Sequence, residues 1–211
     1  MKAAQYDAWY DSPRGRWIGE SEFQLARKQL APHAGASILD VGCGTGWFTR
    51  RFASTGGTMT GLDLNRDSLV YARGHSGNEC AWVQGDAHHL PFPDKSFDYV
   101  LSIAALCFTH DERIPLAEMI RVTRGRFVAG WLNRSSLLYS SKVGRGAYRG
   151  VHWHTATEVR ALFEGLAVEH LSIHSAVFLP DGGHVARFLE KLIPNCLNFG
   201  ALLISSGDVV S

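Results

Sequence analysis

Cysteine is scarce, four in 211 residues, and Cys43, Cys80, Cys107 and Cys196 stand far apart with no C-x-x-C pair. Such spacing fits reduced thiols rather than a disulfide framework or a zinc site, so no metal is expected. No stretch approaches the roughly 20 consecutive apolar residues that span a bilayer. The opening Met1-Lys2-Ala3-Ala4-Gln5-Tyr6 lacks a charged start leading into an apolar run, so neither signal peptide nor anchor is expected, and a cytoplasmic location follows. An excess of one charge sign is also missing: 21 Lys and Arg face 20 Asp and Glu. Tight nucleic-acid binding, which draws on phosphate neutralisation by a basic surface, is therefore disfavoured. One local absence runs the other way. Between Glu118 and Glu158 no acidic residue occurs, while seven basic ones do. A solvated basic face explains that run, and Arg134, Arg145 and Arg149 are the alternative: guanidinium forks for a carboxylate or phosphate on a substrate.

What is present concentrates in Ser37-Ile38-Leu39-Asp40-Val41-Gly42-Cys43-Gly44-Thr45-Gly46-Trp47-Phe48-Thr49, an apolar strand running into three alternating glycines and then a helical pattern. Glycines at the carboxyl end of a strand let the backbone turn sharply and approach a ligand without an intervening Cβ. A dinucleotide fingerprint would need a small residue where Trp47 stands, and a Walker A loop would need a following Lys that is absent. Further on come Gly61-Leu62-Asp63-Leu64-Asn65, Val83-Gln84-Gly85-Asp86-Ala87, and Leu90-Pro91-Phe92-Pro93-Asp94-Lys95-Ser96-Phe97-Asp98-Tyr99-Val100. Asp63 falls about twenty residues past the glycines, where a doubly wound fold places a ribose-binding carboxylate. Taken singly, the glycines could make only a tight turn, Asp63 a helix cap and Asp86 an Asx turn.

Together and in order, these segments resemble motifs I to IV of the class I S-adenosylmethionine-dependent methyltransferases, in the branch that includes the ubiquinone and menaquinone C-methyltransferases. The resemblance covers residues 37 to 102 and continues more weakly beyond. It implies a Rossmann-like α/β fold, a doubly wound seven-stranded mostly parallel sheet with an antiparallel last strand. It also implies S-adenosylmethionine as cofactor and S-adenosylhomocysteine as product. The residues it assigns to cofactor are Asp40, Gly42, Gly44, Gly46, Asp63, Leu64, Asp86, Ala87 and Ser102. Asp40 and the main chain near Ser102 would orient the methionine amino group, Asp63 the ribose, Asp86 the adenine amino group and the Ala87 amide the ring. The chain departs from relatives in lacking a Pro-Gly-Gly turn before the fifth strand, where Arg121-Val122-Thr123-Arg124-Gly125-Arg126 is shorter.

Alternation of short apolar runs with helical segments predicts the same layered parallel sheet. Strands are expected near Ser37–Val41, Thr58–Leu62, Ala81–Gln84, Phe97–Ser102, Arg126–Trp131, Ala167–His174 and Phe199–Ser205. Helices are expected near Gly19–Leu30, Thr45–Ser54, Arg66–Gly74 and Arg113–Val122, with a capping box at Thr155-Ala156-Thr157-Glu158 opening another that runs to Glu164. The length suits one domain: a preface over residues 1–36, a cofactor core over 37–131, and a substrate-side insertion with closing strands over 132–211.

Methyl transfer is an in-line displacement at an activated sulfonium, so positioning carries much of the acceleration. A base is needed only for a protonated acceptor, and His110, His152 and His154 are the candidates. Tyr6 and Tyr10 in the aromatic preface are expected to close over a small-molecule acceptor. The alternatives are a nucleic-acid methyltransferase, an NAD-dependent oxidoreductase, or a cofactor-binding module without turnover. Oligomeric state is left open.

Overall fold

The strand β1 (Ser37–Val41) begins the sheet where the first apolar run was read, and four of its five residues are buried. It lies between β2 (Thr58–Asp63) and β4 (Phe97–Ile103), parallel to both. On the far side of β2 runs the parallel edge strand β3 (Cys80–Gln84). Next to β4 comes β5 (Thr123–Leu132), also parallel. Antiparallel β7 (Leu202–Val209) then pairs with β5 on one side and β6 (Val168–Ala176) on the other. The sheet order is β3-β2-β1-β4-β5-β7-β6, so the strand order reverses between β1 and β4. The computed structural model describes residues 3–190 and 192–210; Met1 and Lys2, part of the opening read for a leader, lie outside them.

Continuous apolar runs in β1, β4 and β5 reflect burial on both faces. Trp131, Phe52 and Phe127 are the largest fully enclosed side chains among the described residues, and the one polar atom of the indole donates to Ser205 Oγ at 2.9 Å. Among the described residues, no helix is long and apolar enough to cross a membrane.

The helices depart from expectation mainly before β1. Two helices, α1 (Ala3–Asp11) and α2 (Pro13–Leu30), replace the single one expected from Gly19. Ser12 caps α2 by accepting from Gly15 N at 3.0 Å, and Pro13 at the first position has its φ set for the helix. The helix α3 (Trp47–Ala53) starts two residues later than expected because Gly46, with φ +78°, still belongs to the turn. Two more helices fall as read: α4 (Arg66–Gly74), capped by Asn65, and α5 (Arg113–Val122). The chain passes from Val122 directly into β5, which is how the shortened turn is accommodated. The stretch expected as an insertion contains α6 (Leu137–Lys142) and a 3-10 turn, Gly146–Tyr148. The capping box at Thr155 opens α7 (Ala156–Leu162) with both reciprocal bonds present. A last helix, α8 (His184–Glu190), was not anticipated.

Candidate active site

The crevice where strand order reverses opens at the carboxyl ends of β1 and β4, where ligands bind in open α/β sheets. A cavity of about 660 Å³ occupies it. That volume falls in the usual range of about 300–1,000 Å³ for small-molecule sites. Its walls bring together Asp40, Gly42, Gly44, Asp63, Leu64, Asp86 and Ala87 from the motifs with Tyr6 and Tyr10 from α1 and His110 from the segment after β4.

The glycine loop is built for close approach. Gly42, at φ +73°, has no room for a Cβ, which would lie 2.4 Å from the Cβ of Ala105. A Cβ on Gly44 would meet nothing within 4 Å and would project into open space. The loop is held by Asp63: one carboxylate oxygen accepts from Gly44 N at 2.7 Å, the other from Asn65 N at 2.8 Å. A carboxylate offers about four lone-pair sites, so both oxygens can still accept from a diol. Asp63 thus shapes the loop as well as facing the ligand, a second role that spacing alone did not reveal.

Asp40 is buried and accepts from Thr49 Oγ1 at 2.6 Å. Burial pushes its carboxyl up to about 7, aided by the charge of Asp63 and opposed by the Thr49 bond. A carboxyl in that condition gains from a neighbouring cation. Asp86 is the opposite case: the His88 backbone N–H and ring, at 2.9 and 2.8 Å, hold its carboxyl below the usual range. Leu64 leaves 68% of its surface exposed beside these groups, an apolar face suited to a flat ring. Burial raises the Cys43 thiol far above its ordinary value, which disfavours the thiolate that a nucleophile needs.

Gly46 and Ser102 do not line the cavity. Gly46 ends the loop against Trp82, whose ring would lie 2.3 Å from an added Cβ. The Ser102 hydroxyl is buried with no hydrogen-bond partner among the described residues, while the adjoining Ile103 and Ala104 reach the cavity wall. Ala104 adopts φ +52°, a left-handed conformation that costs a residue with a Cβ of order 1 kcal/mol or more. Gly130 allows it, since a Cβ there would crowd Ala104 N at 3.3 Å. A strained residue at the cavity wall was not foreseeable from sequence.

Residues 39–128 match the family model described as "Methyltransferase domain". A crystal structure of an S-adenosylmethionine-dependent methyltransferase from Thermotoga maritima superposes with a TM-score of 0.78 at 23% identity, covering 98% of this chain and 95% of that one. An uncharacterized protein of Mycobacterium tuberculosis is 35% identical over 98% of this chain and 72% of its own length. The malonyl-[acyl-carrier protein] O-methyltransferase of Erwinia pyrifoliae is 36% identical over 63% of this chain and 51% of its own length.

The chain is a class I S-adenosylmethionine-dependent methyltransferase. The cavity fits its cofactor: an open glycine loop, an acidic residue with spare lone pairs at the end of β2, and an exposed apolar side chain beside them.

Among the groups expected to act on the acceptor, the methyltransferase brings only Tyr6, Tyr10 and His110 to the cavity. His152 and His154 lie outside the cavity wall, beside Glu112. Its Oε1 lies 2.5 Å from His152 Nδ1 and 3.1 Å from His154 Nε2, so the pair ties the chain before α7 to the start of α5. Arg134, Arg145 and Arg149 lie outside the cavity wall as well, and Arg134 is paired with Glu158. The acid-free stretch finds its counter-charges elsewhere in the chain: Arg121 pairs with Glu118 and Asp94, Arg124 with Asp98 and Arg126 with Asp208.

A residue that sequence reasoning passed over is Asp7. It accepts from Thr45 Oγ1 at 2.8 Å and Tyr71 OH at 3.2 Å and pairs with Arg50 at 3.1 Å. Arg50 in turn donates to the Thr45 carbonyl at 2.6 Å. These bonds latch α1 onto the glycine loop. Trp47 completes the contact by stacking on Tyr10, with centroids 4.3 Å apart and planes 15° from parallel.

Proposed function

We propose that this methyltransferase acts on a small-molecule acceptor with a flat or apolar body, taken up beneath α1 beside the cofactor. The observation that carries the reading is the continuity of one cavity from the cofactor residues Asp40, Asp63 and Asp86 to Tyr6, Tyr10, Phe108 and His110. Aromatic rings with polar tips suit such acceptors. An anionic acceptor is less well served: among the described residues no Lys or Arg lines the cavity, and the basic side chains that do are His88 and His110.

S-adenosylmethionine, when bound, supplies a methyl group activated by its sulfonium. The chain's own residues do the rest by binding and orientation. Asp63 and Asp86 fix the nucleoside end by accepting from its hydroxyl and amino groups, and Asp40 faces the amino-acid end as a counter-charge. Latched by Asp7, α1 excludes water from the reacting centre. His110 is placed to take a proton from an acceptor that arrives protonated, and an acceptor with a free lone pair needs no base. Tyr10 stays a neutral phenol, since burial raises its pKa well above the ordinary value.

The test is production of S-adenosylhomocysteine from S-adenosylmethionine across panels of aromatic, apolar and anionic acceptors. Turnover restricted to aromatic or apolar acceptors, reduced in His110→Asn only for those with a dissociable proton, supports the reading. Turnover confined to polyanionic acceptors or RNA contradicts it.

A further inference from the structure

A second cavity, of about 400 Å³, lies at the β3 edge of the sheet and shares no lining residue with the first. Two periodicities build it. Arg66, Leu69, Val70 and Arg73 recur at the spacing that puts them on one face of α4, and Trp82 and Gln84, two apart on β3, point to one face of the sheet. Leu69 is buried and Val70 is 64% exposed, so the floor between the arginines is apolar and open to solvent on one side. The indole wall is preformed. Gly61, the partner of Trp82 on β2, leaves it room, since a Cβ there would lie 2.6 Å from the ring. Trp82 Nε1 donates to Ser76 Oγ at 3.0 Å, and Gln84 Nε2 donates to the Leu64 carbonyl at 3.3 Å.

The charge of this cavity is of one sign. Arg66 and Arg73 stand at the two ends of the floor, about 10 Å apart along the helix axis. Among the described residues no Asp or Glu lines it; Asp67 follows Arg66 but turns about 100° away around the helix. The Arg66 side chain has no hydrogen bond or ion pair among the described residues, and Arg73 makes one long bond, from Nη2 to the Trp82 carbonyl at 3.4 Å. Arg50, Arg51, Arg121, Arg124, Arg126 and Arg134, by contrast, each pair with a carboxylate. The first cavity is opposite in character, with Asp40, Asp63 and Asp86 in its wall. Guanidinium forks suit carboxylate and phosphate oxygens. An inorganic anion would gain little here, because both guanidiniums are exposed and screened by salt. An apolar body laid on Val70 and Trp82 supplies what the charge alone does not.

We propose that this cavity is a second ligand site, which takes a small organic oxyanion, carboxylate or phosphate, on an aromatic or aliphatic body. Arg66 and Arg73 hold the anionic group, and Leu69, Val70 and Trp82 receive the body. The site lies outside the cavity read for cofactor and acceptor and stands whatever that cavity binds.

The experiment is calorimetric titration of the full chain, saturated with S-adenosylhomocysteine to fill the first cavity, with 2-naphthoate, 2-naphthyl phosphate, neutral 2-naphthamide and acetate. The wild-type chain should bind one or both naphthyl anions roughly tenfold or more tightly than the amide and than acetate, the worth of one charge-assisted hydrogen bond. The tighter of the two tells carboxylate from phosphate. Arg66→Gln together with Arg73→Gln, exposed changes between residues of similar helix propensity, should erase the preference while S-adenosylhomocysteine affinity and thermal unfolding stay unchanged. Each change alone should reduce it in part. Naphthyl anions bound no more tightly than the amide or acetate, or a preference that survives the double variant, overturns the proposal. A preference lost in the double variant although S-adenosylhomocysteine fails to bind supports this site and counts against the cofactor reading instead.

Discussion

Cofactor binding should be coupled to release of a proton from Asp40. With its carboxyl raised to about 7 by burial, Asp40 is mostly protonated at pH 6 and mostly ionised at pH 8 in the free chain. A ligand carrying an ammonium and a sulfonium favours the ionised form, so affinity rises with pH through about 7 and then levels. The ionised fraction changes from about one in eleven to about ten in eleven between those pH values, which makes the affinity gain roughly tenfold. At pH 6 binding should release about 0.9 proton, seen as a dependence of the calorimetric heat on the buffer's ionisation enthalpy. His88 and His110 also line the cavity, and Asp40→Asn separates their contribution. The amide can still accept from Thr49, so the variant should fold, lose about ten- to a hundredfold in affinity at pH 8 through the missing charge, and bind with little pH dependence. Wild-type affinity that is flat from pH 6 to 8 with no buffer-dependent heat would refute the reasoning. A pH dependence retained in Asp40→Asn would move it to the histidines.

Other consequences follow from the same geometry. The folded chain holds the Asp40 proton more tightly than the unfolded one. Through this group, stability of the cofactor-free protein should therefore fall as pH rises from about 4 to 7, by at most about 4 kcal/mol, and denaturant midpoints should show the fall weakened in Asp40→Asn. Gly46→Ala must hold φ near +78° with a Cβ driven into the Trp82 ring, and urea unfolding should show a loss of about 1–3 kcal/mol. Asp7→Ala removes the latch between α1 and the glycine loop; limited proteolysis should then cut near α1 sooner, and cofactor should dissociate faster in stopped-flow fluorescence. Glu112→Ala leaves His152 and His154 without their shared acceptor and should cost about 1–3 kcal/mol in stability, while calorimetry finds S-adenosylhomocysteine affinity unchanged.

The half of the cavity proposed for the cofactor was legible in its placement because its residues come from local segments: strand, glycine turn and acidic residue follow one another within β1 and β2. Asp40, Asp63 and Asp86 could be placed by counting along the chain, and a parallel sheet carries such counts reliably into space. The acceptor half was legible only in part. Tyr6 and Tyr10 were noticed as aromatic residues, but their orientation depends on α1, a helix whose weak amphipathic pattern gave no warning. Asp7, Arg50 and Thr45 meet across 43 residues of sequence, and no spacing rule links them. The basic run gave no sign of where its counter-charges lie, because Asp94, Asp98 and Asp208, the partners of Arg121, Arg124 and Arg126, are supplied by other elements. His152 and His154 do not line the cavity, and the carboxylate they share, Glu112, lies 40 residues before the first of them.

The most direct test of the account is calorimetric titration of the purified chain with S-adenosylmethionine and S-adenosylhomocysteine, beside Asp63→Asn. That variant keeps an oxygen to support the loop but loses the charge and one acceptor. Saturable binding of both ligands by the wild-type chain, weakened at least tenfold in the variant while its thermal unfolding stays cooperative, is the predicted result. A well-folded wild-type chain that binds neither ligand, or binds NADH in their place, would contradict the assignment of the cavity.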